Sequence, residues 1–459
     1  MTDPAKIMQV IEDQRTFFKE GHTRNLKTRV MYLKGFLREI SLREKDIMKA
    51  LQADLGKSDG EAYMTEISLV REEIRYFIKN TYKLSRTKRV KTPLAHFPSA
   101  SRIEYHPYGG VLLISPWNYP FQLTFAPLVG AVAAGNTVII KPSEDSPATT
   151  QVMKEIVESC FPPELVALFD GDVEVSRTLL EEKFDFIFFT GSTGVGKIIM
   201  EKAAAHLTPV CLELGGKSPC IVDETARIET AARRIAWGKF LNAGQTCVAP
   251  DYVVAHESIV EELLEALKRN MALFYTEKAE HYADYPKIIN QRHFDRLSEL
   301  LSQSKIYAGG ERQVEEQKIS PTLLYPVQGD EPIMAGEIFG PLLPIMTYKT
   351  REEAEEIVHR HPTPLALYLF SESKSFQTEL LSNLSFGGGC INDVVVHLAN
   401  ANLPFGGIGQ SGMGSYHGKK SFQTFSHERA LLKKSALIDT PFRYHRYPNQ
   451  LKILKKVMG

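Results

Sequence analysis

The chain is poor in cysteine, and its five cysteines (Cys160, Cys211, Cys220, Cys247, Cys390) sit at wide, irregular spacings in 459 residues. An odd, scattered set excludes a secreted disulfide framework and fits free thiols in a reducing compartment. An excess of either charge is also missing, with 55 Lys and Arg against 55 Asp and Glu. That balance argues against a nucleic-acid or general membrane-surface binder, both of which need a basic face. The start, "MTDPAKIMQVIEDQRTFFKE", lacks the apolar core of a signal peptide, so export is not expected and the cytoplasm is the expected compartment. The most apolar run, residues 125–140, is broken by Pro127, two glycines and Asn136 and falls short of the ~20 residues of a spanning helix. No fixed-period repeat or low-complexity segment occurs.

What remains is a globular composition, 43% hydrophobic and 24% charged. The length predicts two or three domains at ~100–200 residues each. Residues 5 to 55 carry apolar positions at helical spacing (Met31, Leu33, Phe36, Leu37, Ile40), and residues 61–84 continue that pattern. Residues 86–109 break it with three prolines and a basic cluster, which predicts an extended edge hairpin. From Gly109 short apolar runs alternate with helical patterns, and after Gly216 the alternation restarts and continues to about residue 415. This predicts a doubly wound α/β domain with a parallel sheet, followed by a second α/β domain. The basic tail interleaves Leu451, Ile453, Leu454 and Val457 with Lys452, Lys455 and Lys456. It reads as an amphipathic surface helix, or as a weak membrane-surface contact.

Several short stretches carry chemistry. "FLNAGQTCVAP" (240–250) puts Cys247 in a loop of amides and small residues, with no second cysteine or histidine beside it. A redox pair and a zinc site are therefore set aside, and no metal is expected. A small buried hydrophobe and a nucleophile remain as readings. "ISPWNYP" (114–120) places Asn118 either as a turn residue or as an amide donor for an oxyanion. "IIKPSE" (139–144) ends a strand with Lys141 and Glu144, which are solvated charges or partners for ribose hydroxyls. "FFTGSTGVGK" (188–197) is neither GxGxxG nor a P-loop, yet a glycine turn opening a helix can cradle a pyrophosphate. "LELGGKSP" (212–219) puts Glu213 at the end of an apolar strand. Desolvation would raise its pKa as a general base requires, unless the Gly-Gly backbone satisfies it.

Together these stretches resemble the aldehyde dehydrogenase superfamily over nearly the whole chain. The resemblance rests on "PWNYP", "KPSE", "FTGSTGVGK", "LELGGKSP", "GQTCVAP", "EIFGPLLPI" (337–345) and "LPFGGIGQSGMGSYHGKKSFQTFSH" (403–427), in that order. The last stretch, the Glu213 context and the length are most similar to class 3, the branch acting on fatty and aromatic aldehydes. The resemblance implies an α/β aldehyde dehydrogenase fold: a Rossmann-like NAD-binding domain (1–88 and 108–213), a catalytic domain (214–427), an oligomerisation element (89–107 and 428–438) and a tail (439–459). It implies NAD(P)-dependent oxidation of medium- or long-chain aliphatic or aromatic aldehydes to acids through a thiohemiacetal and a thioester. Cys247 would be the nucleophile, Glu213 the base, and Asn118 the oxyanion donor. Lys141 and Glu144 would meet the adenine ribose, and Gly191, Ser192, Thr193, Gly194, Val195 and Gly196 the pyrophosphate. Glu337 and Phe339 would meet the nicotinamide ribose and ring. The carboxylate of Glu144 favours NAD, with NADP as the alternative; class 3 members are typically homodimers. His417 lies where this class carries a histidine at the substrate mouth, although a surface or core histidine is the commoner case, and Tyr119 is a candidate lining residue. A CoA-acylating or phosphorylating relative, a cysteine hydrolase and an inactive binding protein of the same fold are the rival readings.

Overall fold

The computed structural model describes residues 4–275 and 285–458, apart from the side chains of Phe442, Val457 and Met458. Helices Pro4–Lys19, Leu26–Leu42 and Glu44–Leu55 form the entry region that the periodicity predicts. Residues 59–84 are helical throughout, with a π-turn at Tyr63–Ile67 interrupting the α geometry. Such a turn inserts one residue into a helix, rotates the side chains after it and is frequent at functional sites.

The first sheet has six strands. Gly110–Ile114, Thr137–Lys141, Val166–Leu168, Phe186–Thr190 and Val210–Glu213 are parallel, and the short strand Gly412–Met413 pairs antiparallel with Leu212 and Glu213. Thr137–Lys141 and Phe186–Thr190 are buried at every residue, as strands covered on both faces must be. The intervening helix Pro120–Ala134 starts on a proline, stops at the left-handed Gly135 and is buried all round, sandwiched between the sheet and the N-terminal helices. Every strand of the parallel set points its carboxyl end the same way. Ile114 is in register with Lys141, and Thr190 with Glu213, so the loops bearing Asn118, Lys141, Gly191 and Leu214 emerge along one edge.

A second, seven-stranded sheet comprises Ile306–Ala308, Thr322–Leu324, Leu342–Tyr348, Tyr252–His256, Pro219–Val222, Ala366–Phe370 and Gly388–Ile391, in that spatial order. All but the first run parallel. Cys247 precedes the strand Tyr252–His256, Glu337 precedes Leu342–Tyr348 and Gly215 precedes Pro219–Val222. The carboxyl edge of the first sheet therefore faces the amino edge of the second. A third sheet joins Lys88–Val90, Ser99–Pro107 and Ser426–Lys434. The hairpin expected at 86–109 is present, and the later strand lies at 426–434, starting and ending earlier than the 428–438 expected. The tail forms the helix Gln450–Met458, seated beside the turn Leu94–His96. Among the described residues, no helix is long and apolar enough to cross a membrane.

Candidate active site

The loop 241–247 is held in unusual backbone geometry. Asn242 and Ala243 both have φ of 52°, in the left-handed region that costs non-glycine residues energy, and Gly244 follows at φ 72°. Side-chain amides over-determine this path. Asn242 Nδ2 donates to the carbonyl of Asn118 at 2.8 Å and to that of Gln245 at 3.2 Å. Gln245 Nε2 donates to the carbonyls of Asn242 at 3.1 Å and Lys287 at 3.0 Å, and its Oε1 accepts from Ile289 N–H at 3.1 Å. The amide-rich composition of "FLNAGQTC" is thus the means by which a strained loop is fixed. Phe339 (φ 48°) and His417 (φ 81°) are left-handed too, and they line the same cavities; strain of this kind collects at functional sites.

Asn118 is fixed as firmly. Its side-chain nitrogen donates to Gln245 O at 3.0 Å, which uses one amide hydrogen, and its carbonyl accepts from Lys57 Nζ at 3.0 Å. Lys57 and Glu66 form a fully buried ion pair at 2.5 Å. Glu66 Oε2 in turn accepts the N–H groups of Phe121 at 2.9 Å and Gln122 at 3.2 Å at the start of the helix that follows. Glu66 lies in the π-turn, so that irregularity helps to hold the Asn118 loop. Removing one partner of such a pair costs about 3–5 kcal/mol because the other is left buried and uncompensated.

Two cavities meet here. The first, about 550 Å³, runs over the carboxyl edge of the six-stranded sheet and is lined by Asn118, Lys141, Glu144, Gly191, Ser192, Val195, Glu213, Cys247, Glu337 and Phe339. Three residues expected at the pyrophosphate do not line it. Thr193 turns its hydroxyl to the carbonyl of Gln410 at 3.2 Å, Gly194 faces away, and Gly196 packs under Leu214, where a Cβ would lie 2.6 Å from Leu214 Cδ2. Ser192 caps the helix Thr193–Ala204 by accepting from Val195 N–H at 3.4 Å, so the positive end of that helix borders the cavity. Trp117, Arg292, His293 and Arg296 also line it, and Trp117 packs edge-on to Phe339 at 5.4 Å. Sequence reasoning missed these four. The arginines and histidine lie at the start of an amphipathic helix, Gln291–Ser302, where charge reads as solvated surface, and Trp117 stood unremarked inside "PWNYP".

The second cavity, about 240 Å³, is walled by Met64, Leu69, Tyr119, Leu123, Trp237, Leu241, Val395, Phe405, Tyr416 and His417. Its walls are almost wholly apolar, which suits a hydrocarbon or aromatic group. Tyr119 packs under Lys57 Nζ, 3.9 Å from the ring centroid, and its hydroxyl shares a 2.6 Å hydrogen bond with Thr246. Among the described residues, Cys247 is the one that lines both cavities.

The electrostatics are those of an uncharged pocket. Burial pushes the Cys247 thiol above its usual range, and the Glu337 and Glu213 carboxylates push it further, while the N–H groups of Cys247 and Val248 oppose them. The thiol is therefore protonated at rest and needs a base. Glu213 is buried, burial holds its pKa well above the carboxylate range, and Oε2 has no hydrogen-bond partner among the described residues. The reading in which the Gly-Gly backbone satisfies Glu213 is not what is found. Glu337 is pushed up to about 8, by burial first and then by Asp251. Burial lowers His417 to about 4, so it is neutral. Lys141 is buried and its pKa is lowered by burial; Nζ donates to Pro142 O at 2.7 Å and lies 3.7 Å from Glu144 Oε2, whose side chain remains half-exposed.

A raised carboxyl pKa has a stability consequence. The folded chain binds the Glu337 proton more tightly than the unfolded chain, so its contribution is full below the ordinary carboxylate range and is lost as pH rises toward about 8. The lowered histidines contribute equally to the parent and to the Glu337→Gln variant, so the difference between the two does not carry them. Glu337→Gln is expected to flatten the fall in Tm between about pH 6.5 and 8 by roughly 3 °C. Calorimetry across that window checks it.

The carboxyl edge of a doubly wound sheet opens on a polar cavity, and a thiol lies where that cavity meets an apolar one. Residues 1–431 match the Aldehyde dehydrogenase family, and the chain belongs to that family and is an oxidoreductase acting on aldehydes. It is 47% identical to the 4,4'-diaponeurosporen-aldehyde dehydrogenase of Staphylococcus aureus, over 98% of each chain. It is 44% identical to the dimeric NADP-preferring aldehyde dehydrogenase of Canis lupus familiaris, over 97% of this chain and 98% of that one. Among solved structures, the substrate-bound state of Staphylococcus aureus AldH matches with a TM-score of 0.97 and 46% identity over the whole of both chains. The NAD+ complex of the Bacillus cereus aldehyde dehydrogenase matches with a TM-score of 0.85 and 26% identity, over 94% of this chain and 89% of that one.

Proposed function

We propose that the protein oxidises medium- or long-chain aliphatic or aromatic aldehydes to carboxylic acids, with Cys247 as nucleophile, Glu213 as base and Asn118 as oxyanion donor. The observation that carries the reading is the position of Cys247 as the sole residue bordering both the polar and the apolar cavity. The aldehyde's apolar body occupies the second cavity and presents its carbonyl carbon to Sγ. The carboxylate of Glu213, desolvated and with Oε2 free of hydrogen-bond partners among the described residues, takes the thiol proton, and the thiolate adds to the carbonyl. The remaining hydrogen of Asn118 Nδ2 and the backbone N–H of Cys247 receive the oxyanion. A nicotinamide dinucleotide, when bound, supplies a hydride acceptor, and a thioester is left on Cys247. Once the thiol proton has passed from Glu213 to solvent, its carboxylate takes a proton from water, water oxygen adds to the thioester carbonyl, and the C–S bond breaks to release the acid and return the thiolate of Cys247. A carboxylate placed to activate water supports hydrolysis over transfer to CoA.

The first cavity fits the dinucleotide. A helix N-terminus lies at Ser192, the carboxylates of Glu144 and Glu337 border the cavity, and Gly215 leaves room where a Cβ would lie 2.1 Å from Glu337 Oε2. Lys141 and Glu144 would hold the adenine ribose, Gly191, Ser192 and Val195 the pyrophosphate, and Glu337 with Phe339 the nicotinamide end. The exposed carboxylate of Glu144 supports NAD over NADP by repulsion of a 2′-phosphate. Glu144→Ser is expected to move the NAD/NADP ratio of kcat/KM toward NADP by about tenfold.

The division into domains at 1–88 with 108–213, and 214–427, follows the two large sheets, although Gly412–Met413 crosses to the first. We assign a homodimer. The strand Ser426–Lys434 forms one edge of the three-stranded sheet, with nine residues and an exposed Leu432, and a second copy would cover it. All five cysteines are free, which supports a cytoplasmic location, and the tail reads as an amphipathic surface helix. A panel of aldehydes from short to long chain plus benzaldehyde, followed by reduced-cofactor absorbance with NAD and NADP, tests the reading. Highest kcat/KM on long-chain or aromatic aldehydes with free acid as product is expected. No reduction with any aldehyde by protein that binds NAD would sink it.

A further inference from the structure

One buried ion pair joins three stretches that carry the proposed site. Lys217 lies four residues after Glu213, and Asp251 four residues after Cys247. Lys217 Nζ donates to Asp251 Oδ2 at 2.8 Å, to Ile333 O at 3.0 Å and to Gly336 O at 2.8 Å, so all three ammonium hydrogens are used. Asp251 Oδ1 accepts from Ile338 N–H at 3.1 Å. The segment carrying Glu337 is therefore fastened immediately before that residue through Lys217, and immediately after it through Asp251. Backbone packing adds a further tie, because a Cβ at Gly244 would lie 2.2 Å from Gly340 O.

Both side chains of the pair are almost fully buried, at 3% and 6% exposure. Ion pairs this deep recover their desolvation cost poorly and are often matched in stability by apolar side chains of similar volume. What an apolar replacement could not supply here is three directed hydrogen bonds to the segment carrying Glu337, at Ile333 O, Gly336 O and Ile338 N–H. A second buried ammonium, Lys239, makes the contrast: its Nζ has no hydrogen-bond partner among the described residues, so it fastens no segment.

We infer that Lys217 and Asp251 are positioning residues that set Glu337 at a fixed place relative to Cys247, and that Lys217 acts on cofactor binding through Glu337. This rests on the reading of Glu337 as a cofactor carboxylate. The test compares Lys217→Gln, Asp251→Asn, Glu337→Gln and the double variant Lys217→Gln/Glu337→Gln. NAD affinity is measured by titration of tryptophan fluorescence, and KM for a long-chain aldehyde is measured alongside. Glu337→Gln and Lys217→Gln are each expected to weaken NAD binding by about tenfold, with aldehyde KM within about twofold. The double variant is expected to bind NAD no worse than Glu337→Gln alone, because Lys217 has lost the group it acts through. Asp251→Asn, which keeps the shape and one acceptor oxygen, is expected to weaken NAD binding by a smaller factor and serves if Lys217→Gln does not fold. The inference is overturned if Lys217→Gln leaves NAD affinity unchanged, if the two effects multiply in the double variant, if aldehyde KM worsens in parallel, or if neither Lys217→Gln nor Asp251→Asn folds. Unchanged affinity in Glu337→Gln alone would refute the reading of Glu337 and the inference with it.

Discussion

Cys247→Ser is expected to lower aldehyde oxidation by about 10⁴-fold while NAD still binds. Serine is nearly isosteric, so the loop held by Asn242 and Gln245 should survive and the loss should reflect chemistry alone. A hydroxyl is far harder to deprotonate than a thiol in surroundings that already push the thiol up through burial and two nearby carboxylates. The variant should therefore retain its melting temperature and its NAD titration. Residual activity within about tenfold of the parent would move the nucleophile elsewhere, and none of the other four cysteines borders the first cavity.

Glu213→Gln should separate the two halves of the reaction. The proposed base acts twice, on the thiol and on the water, and the reading commits the other two lining carboxylates, Glu144 and Glu337, to the cofactor. The expected record is one equivalent of reduced cofactor per site, formed more quickly as pH rises because thiolate must then form without help, followed by a steady rate about 10³-fold below the parent. Intact-mass measurement should find Cys247 acylated during that slow phase. In the parent, activity should rise with pH through the raised pKa of Glu213, since the unprotonated carboxylate is the working form. A steady rate equal to that of the parent would remove Glu213 from the mechanism. A slow rate without acylated enzyme would confine it to activating the thiol.

Much of this was legible in the chain itself, for reasons that differ by element. Strands such as Phe186–Thr190 were readable because four consecutive apolar residues and a β-branched threonine ending at a glycine turn leave few alternatives. The helix Pro147–Cys160, one of the helical patterns alternating with the strands, starts on a proline. Ile228–Phe240 starts only after a turn in which Asp223 and Thr225 spend their side chains with Ser371. The π-turn at Tyr63–Ile67 could not be read, since one inserted residue barely disturbs an apolar pattern of period 3.6. The glycine-rich turn was over-read. Only Gly191, Ser192 and Val195 of its six residues reach the cavity, because a helix start presents roughly every third side chain to one side. The Lys57–Glu66 and Lys217–Asp251 pairs were invisible for a different reason: long-range partners 9 and 34 positions apart carry no local pattern.

The two cavities share no wall residue except Cys247, and their linings come from different parts of the chain. Besides Cys247, residues 114–118, 141–144, 173–199, 213–215, 292–296 and 337–339 surround the polar one, and residues within 64–69, 119–123, 237–248, 395–399 and 405–417 the apolar one. Heritable change can therefore retune one end without disturbing the other. A lineage could exchange its coenzyme while keeping its taste in aldehydes, or the reverse, and the same separability lets an engineer graft either half from a relative.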